Sequence, residues 1–141
     1  MEALGRVFNP VITADAVYVN LKDAAGVSFL CYLASTQDVY TLTEARDAAG
    51  TGAQALATIE RYWTSNGVGG VWTLRTQAAG STVTTTSGVT LSGVVIDVDG
   101  TELSDGYGFV KLASTGAGTV TAVMRDLKVQ RKPSNLPSVI V

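Results

Sequence analysis

The strongest constraint in this sequence is a two-residue period that recurs in short runs. In VYVNLK, Val17, Val19 and Leu21 alternate with Tyr18, Asn20 and Lys22, and after DAAG the pattern resumes at Val27, Phe29, Cys31 and Leu33. Successive side chains of a strand point to opposite faces, so a run of this kind buries one face and leaves the other to solvent. The two runs read as an antiparallel pair. YTLTEA sets Tyr40 and Leu42 on one face, and VWTLRTQ sets Trp72 and Leu74 against Thr73 and Arg75. GVVIDVDG, FVKLAS and, after the glycine turn TGAG, TVTAVMRDLKVQ are further strands. In the last run Val120, Ala122 and Met124 share one parity while Leu127 and Val129 take the other, which predicts a β-bulge near Arg125 and Asp126.

GAQALATIERYWTSNG fits two periods. Leu56, Ile59 and Trp63 sit at helical spacing, yet AGTG is poor helix-starting material and the run closes at the turn signal Ser65-Asn66-Gly67. Strand is the reading taken for residues 53–65, with helix as the competitor and a short helical turn expected in TEARDAAG.

Val and Thr make up about a quarter of the 141 residues, a β-branched bias that suits a pleated surface. Short strands separated by Gly, Asn and Asp turns, with no βαβ alternation, predict a single all-β domain: an antiparallel β-sandwich, jelly-roll-like, with extended N- and C-terminal arms. Phe29, Trp63, Trp72, Phe109 and the tyrosines are expected mainly in its core. With 46% hydrophobic and only 16% charged residues, the surface must be built largely from Thr, Ser, Gly and Ala. A net charge of −2 on such a surface suits a protein covered by neighbours, the plain alternative being a compact monomer with a Thr-rich exterior.

The chemistry-bearing residues are sparse. There is no histidine, and Cys31 is the only cysteine, placed in GVSFLCYLA where a small buried side chain fits. The common nucleophile–base pairs and zinc sites therefore lack their members, and no enzyme activity, metal or cofactor is expected. The densest acidic stretch, DVDGTELSD, holds Asp97, Asp99, Glu102 and Asp105. It offers an acid pair for glycoside hydrolysis and a DxDG start reminiscent of a calcium loop, but it lacks the later ligands of such a loop and reads first as a turn. AGTG, GVGG and TGAGT open no helix with a lysine, so they read as turns and not phosphate cradles. Arg125, Lys128, Arg131 and Lys132 form the only local positive excess, which suits a solvated strand edge or an acidic neighbour better than nucleic acid. The start MEALGRVFNPVITADA lacks a basic stretch followed by an apolar run and nowhere do 18 apolar residues follow one another, so neither a signal peptide nor a membrane-spanning segment is expected.

LGRVFNPVITADA and RKPSNLPSVIV place proline-fixed extended backbone beside apolar side chains outside the clear strands. This divides the chain into an N-terminal arm, residues 1–16, a sandwich domain, residues 17–130, and a C-terminal arm, residues 131–141. Phe8, Pro10, Val11 and Ile12 at one end, and Arg131, Lys132, Leu136, Pro137, Val139, Ile140 and Val141 at the other, are the expected partner-interface residues, docking onto a neighbouring molecule by strand addition or in an apolar groove, the alternative being arms folded back onto their own domain.

The segments YTLTEARDAAGTGAQALATIERYW, VWTLRTQ and VVIDVDGTELSDGYGFVKLASTGAGTVTAVMRDLKVQRKPSNLP resemble small virion proteins of tailed bacteriophages encoded among head genes. The likeness lies in EARDAAGTGAQAL, in the step from Glu102 to Tyr107 and in the closing DLKVQRKPSNLP, and runs from Tyr40 onward. It implies a head-decoration or minor capsid protein on the capsid surface, made in the host cytoplasm, with the major capsid protein and further copies of itself as partners. A tail location is equally compatible. The competing reading from the residues is a carbohydrate-binding module stacking sugars on Tyr62, Trp63 and Trp72.

Overall fold

Strands dominate the computed structural model, which describes residues 3–33, 37–66, 69–85, 92–116 and 118–141. The expected turns GVGG and TGAG fall partly on Gly67, Val68 and Ala117, and the first arm begins with Met1 and Glu2, all outside the described residues. The strands are β1 (Phe8–Val11), β2 (Val19–Asn20), β3 (Ala24–Leu33), β4 (Val39–Ala45), β5 (Gln54–Ala55), β6 (Ile59–Ser65), β7 (Thr73–Gly80), β8 (Thr82–Thr84), β9 (Ser92–Asp99), β10 (Phe109–Ser114) and β11 (Thr119–Leu127). They form two antiparallel sheets, one in the order β1-β11-β3-β9-β6-β7 and one in the order β2-β10-β4-β5, with β8 also paired to β4. The expected sandwich is what forms; this strand order does not by itself establish jelly-roll winding.

The inward positions are those the period picked out. Val27, Phe29 and Cys31 of β3, Val94, Ile96 and Val98 of β9, and Val120, Ala122 and Met124 of β11 meet Tyr40 and Leu42 of β4 and Val110 and Leu112 of β10. Each large side chain buried this way contributes about 1.5–3 kcal/mol relative to exposure.

Pairing departs from expectation. The runs around β2 and β3 are not a hairpin: β2 pairs with β10, whereas β3 lies between β11 and β9 in the other sheet. Among the described residues only β4–β5 and β6–β7 are both consecutive and hydrogen-bonded; every other connection leads to a strand of the opposite sheet. Residues 59–65 are strand, as read. TEARDAAG holds no helix: after β4 it closes on Asp47, whose carboxylate accepts the N–H groups of Ala49 and Thr51 at 3.0 Å each. The phase slip in β11 is present without an inserted residue. Arg125 pairs with Gly26 and Leu127 with Ala24 in unbroken register, while Asp126 takes a left-handed backbone (φ +52°) that turns its own side chain out and brings Leu127 onto the core.

Both terminal segments are tied to their own domain. β1 is the edge strand beside β11, paired from Phe8↔Arg125 to Val11↔Ala122, so the boundary at residue 16 cuts through a continuous sheet. Ala14 is fully buried and donates its N–H to the Val120 carbonyl at 2.8 Å. The C-terminal segment crosses the N-terminal one where Arg131 N–H meets the Gly5 carbonyl at 2.8 Å. Gly5 has φ +82°, and a Cβ there would lie 2.3 Å from the Arg131 carbonyl oxygen. Farther on, Asn20 donates its backbone N–H to Val139 (2.6 Å) and its side-chain amide to Val141 (3.1 Å), and Val139 packs on the core. A cavity of about 40 Å³ lies under this strap, bounded by Met124, Leu127, Leu136 and Val139.

Removing residues 133–141 uncovers that region and frees Asn20. The expected cost is on the order of 2 kcal/mol of folding stability, read as a lower urea midpoint.

Candidate interaction surface

The outward side of the six-stranded sheet carries the feature that sets this molecule apart from a half-polar sandwich. Directly opposed residues of an antiparallel ladder share a face. Thr121 pairs with Leu30, Leu30 with Val95, Val95 with Trp63, and Trp63 with Leu74, so one row of side chains crosses β11, β3, β9, β6 and β7. Four of those five side chains are apolar, and Leu30, Trp63 and Leu74 are each at least 40% exposed.

A second row reinforces it. Tyr32 pairs with Gly93 and Gly93 with Ser65. Trp72, from the connection entering β7, reaches over Gly93: a Cβ there would lie 3.3 Å from the Trp72 ring. The connection is held back over the sheet by Ser65 Oγ donating to the Gly70 carbonyl at 3.1 Å. Tyr32 and Trp72 stay about half exposed, and Val71 beside them is almost fully so. Trp63 and Trp72 are thus surface residues and not the core residues that their size favoured, because β6 presents Trp63 to the outward face and the connection before β7 lays Trp72 over Gly93. Phe29 and Tyr40 are in the core as expected, and Phe109 is half-buried.

The opposite end of the same face is charged. Arg125 of β11 extends across β3 to β9, with 2.5 Å to Asp99, 3.6 Å to Asp97 and 3.0 Å to Asp126. The bare Cα of Gly26 makes room, since a Cβ would meet the guanidinium at 2.7 Å. Ser28 donates its hydroxyl to Asp97. The acidic stretch is therefore divided. Asp97 and Asp99 pair with Arg125, and Asp99-Gly100 leads into the 3-10 turn Gly100–Glu102, where Glu102 reaches back to the Asp99 N–H at 2.7 Å. Burial lifts the Glu102 carboxyl above its ordinary range, against the pull of that amide. Asp105 is exposed on the following turn. Among the described residues no three metal-ligating side chains converge.

The sequence-predicted interface residues do not form one surface. Phe8, Pro10 and Val11 are half-buried in β1; Leu136 and Val139 face the strap cavity; Arg131, Lys132 and Pro137 are exposed. Ile12 (69%), Ile140 (44%) and Val141 (73%) remain apolar and accessible. Of the proposed sugar platform, Tyr62 points to the other face and packs on the core, while Tyr32 joins Trp63 and Trp72.

Two buried carboxylates escaped the sequence reading, and both serve the frame. Asp38 is 1% exposed and accepts from Val39 N–H (2.8 Å), Thr115 N–H (2.9 Å), Thr115 Oγ1 (3.0 Å), Gly116 N–H (2.8 Å) and the Ser114 hydroxyl. It locks the start of β4 to the corner between β10 and β11. Burial pushes its carboxyl up, but these donors outweigh burial and hold it below the ordinary range. Glu44 is likewise 1% exposed, accepting from Gln54 Nε2 (2.6 Å), Ser104 N–H (2.9 Å) and Ser104 Oγ (2.5 Å); these donors overcome burial and lower its carboxyl too.

Comparison with protein-family models, with curated proteins and with solved structures gives no match. No helix among the described residues is long and apolar enough to cross a membrane.

Asp38→Ala strips the acceptor from several partly buried donors and is expected to cost on the order of 3 kcal/mol, measured by urea unfolding. Because the folded carboxyls of Asp38 and Glu44 sit below their unfolded values, their contribution is complete above the unfolded pKa of about 4. It is lost as pH falls through the lowered folded values, so acid should destabilise the parent steeply and Asp38→Ala less so. Gly93→Val should displace Trp72 and raise tryptophan quenching by iodide while leaving the far-UV spectrum unchanged.

Proposed function

We propose that the chain is a structural protein of a tailed-phage particle, a head-decoration protein that covers and stabilises the major capsid protein lattice. The observation that carries this reading is the outward row Leu30, Val95, Trp63 and Leu74, exposed at all but the half-buried Val95, with Tyr32 and Trp72 beside it. Contiguous apolar surface of this kind on a monomer marks association, and aromatic residues at the centre of such a patch supply most of the binding energy. The likeness of the chain from Tyr40 onward to phage head proteins supports the particle as the setting. The terminal segments are held by their own sheet and strap, so in this reading the sheet face makes the principal contact, and Ile12, Ile140 and Val141 add to its margin.

A carbohydrate-binding role is the second reading, favoured by the grouping of Tyr32, Trp63 and Trp72 on one face. The aliphatic neighbours Leu30, Val95, Leu74 and Val71 favour protein over sugar, because glycan sites need hydrogen-bonding partners around their aromatic rings.

The purified protein should bind shells of the phage that encodes it and raise their melting temperature. Trp63→Ser combined with Leu74→Ser should weaken that binding at least tenfold, as truncated hot-spot residues cost about 2 kcal/mol or more each. Deletion of residues 133–141 should change it less than twofold at temperatures where the shortened protein is folded. Shell affinity that ignores the face substitutions overturns the reading; binding to tail tubes instead moves the protein to the tail, and binding to a polysaccharide lost in Trp72→Ala establishes the second reading.

A further inference from the structure

We infer that the groove beneath residues 133–141 is a peptide-binding site which the chain keeps closed with its own C-terminal strap. Its partner is an extended, proline-containing protein segment with branched apolar side chains three residues apart. The strap touches the body along one side only. From Arg131 to Val141 no residue is fully buried, and Pro133, Leu136 and Val139 alone are half-buried. The 3-10 turn Pro133–Asn135 and the polyproline-like backbone at Lys132 (φ −64°, ψ 148°) and Leu136 (φ −69°, ψ 128°) both repeat every three residues, so these side chains fall on the same side.

The floor beneath does not need the strap. β11 pairs with β3 as far as Leu127↔Ala24 and with β1 from Phe8↔Arg125 to Val11↔Ala122. Ala24, Met124 and Leu127, which line the groove, are therefore held by ladders that exclude residues 131–141. Among the described residues three hydrogen bonds link strap and body: Arg131 N–H to the Gly5 carbonyl (2.8 Å), Asn20 N–H to the Val139 carbonyl (2.6 Å) and Asn20 Nδ2 to the Val141 oxygen (3.1 Å). The cavity of about 40 Å³ left against Leu136 and Val139 makes the apolar contact incomplete. A peripheral segment with few buried contacts opens at a smaller cost than the sheets it lies on.

The strap is also the ligand that shows what the groove takes. On β2, Leu21 N–H turns to the Gly108 carbonyl on the β10 side, so Asn20 N–H faces away from its sheet and meets Val139. With the strap open, that N–H, the Asn20 amide and the apolar floor stand together between β1 and β2, the end strands of the two sheets. A free edge donor beside apolar pockets is the combination by which extended peptides are recognised. The spacing of Leu136 and Val139 sets where the partner needs its apolar side chains, and a proline between them, as at Pro137, keeps the segment extended with little entropy left to lose. This site is separate from the outward row through Trp63 and does not rest on it.

Hydrogen exchange on the unaltered full chain tests the closure directly: the Asn20 and Arg131 amides should exchange at least a hundredfold faster than those of Phe29 and Ala122 in the β3–β11 ladder. A fluorescein-labelled synthetic peptide of residues 131–141 tests the groove. Leu136→Ser with Val139→Ser loosens the strap and leaves the groove intact, so the full-length double variant should bind this peptide at least tenfold more tightly than the parent does, and bound peptide should slow Asn20 exchange again. The same peptide carrying both serines should not bind. Should the double variant fail to fold, Val139→Ser alone takes its place, and the exchange measurement on the parent stands without either. Asn20 and Arg131 amides that exchange no faster than the ladder make the strap a fixed part of the domain and overturn the closure. Equal affinity of parent and variant, or equal binding of the serine peptide, overturns the site. Dimerisation of the parent at millimolar concentration, lost in the double variant, puts the strap of a second copy in the groove and overturns a separate partner.

Discussion

A six-stranded sheet laid on a narrower one cannot be covered across its whole width, and the rest of this molecule follows from that mismatch. The second sheet contributes only β4 and β10 as strands of more than three residues. They cover β11, β3 and β9, whose inward residues are buried, but at β7 no described residue lies over either face. The β6–β7 hairpin therefore stands out from the body, anchored through the short pairing of Trp63, Thr64 and Ser65 with β9 and through the buried side chain of Ile59. An isolated hairpin of this kind has little stability of its own, so its order depends on the β9 ladder and on whatever covers it in an assembly.

The outward face is partitioned by charge rather than being uniformly sticky. Arg125 and its carboxylates occupy one end, where salt bridges in solvent are worth little individually but keep that end hydrated. Tyr32, Trp72 and the Leu30–Leu74 row occupy the other. Such a face has a direction: a partner that covers the aromatic end gains apolar area, and one shifted toward Arg125 must desolvate charges that already have partners. Register on a lattice can be set in this way without any pocket.

Much of this was legible in the residues, and the failures have physical causes. The two-residue period located most of the longer strands and named the inward side chains of β3, β4 and β11 correctly, while Ile59–Ser65 was read from its flanking turn signals and β1 and β8 were not read as strands. It could not assign partners, because parity says which face a residue occupies and nothing about which strand lies alongside; hence the false β2–β3 hairpin. Size alone sent Trp63 and Trp72 to the core. The signal against that was in the sequence, since in GVSFLCYLA and VVID both parities are apolar: Leu30 and Tyr32 oppose Phe29 and Cys31, and Val95 opposes Val94 and Ile96. A strand buried on one side only should be polar on the other, so apolar residues on both mark a second apolar face. Asp38 and Glu44 left no such trace, because their donors at Ser114–Gly116 and Ser104 are at least sixty positions away and only the fold brings them near.

The terminal segments illustrate how proline and apolar character can be read two ways. Extended backbone with Val, Ile and Leu side chains needs a sheet edge or a groove, but that edge can belong to the same molecule. Here β1 completes the sheet beside β11, and the C-terminal strap closes over Gly5 and Asn20. An arm that has already spent its hydrogen bonds at home must break them before it can reach a neighbour, whereas the face formed by Trp63 and its row is exposed in the folded monomer and need break nothing. Between two surfaces of similar apolar character, the one that is already organised and unpaired binds with the smaller penalty, which is why the proposed role rests on the sheet face and not on the arms.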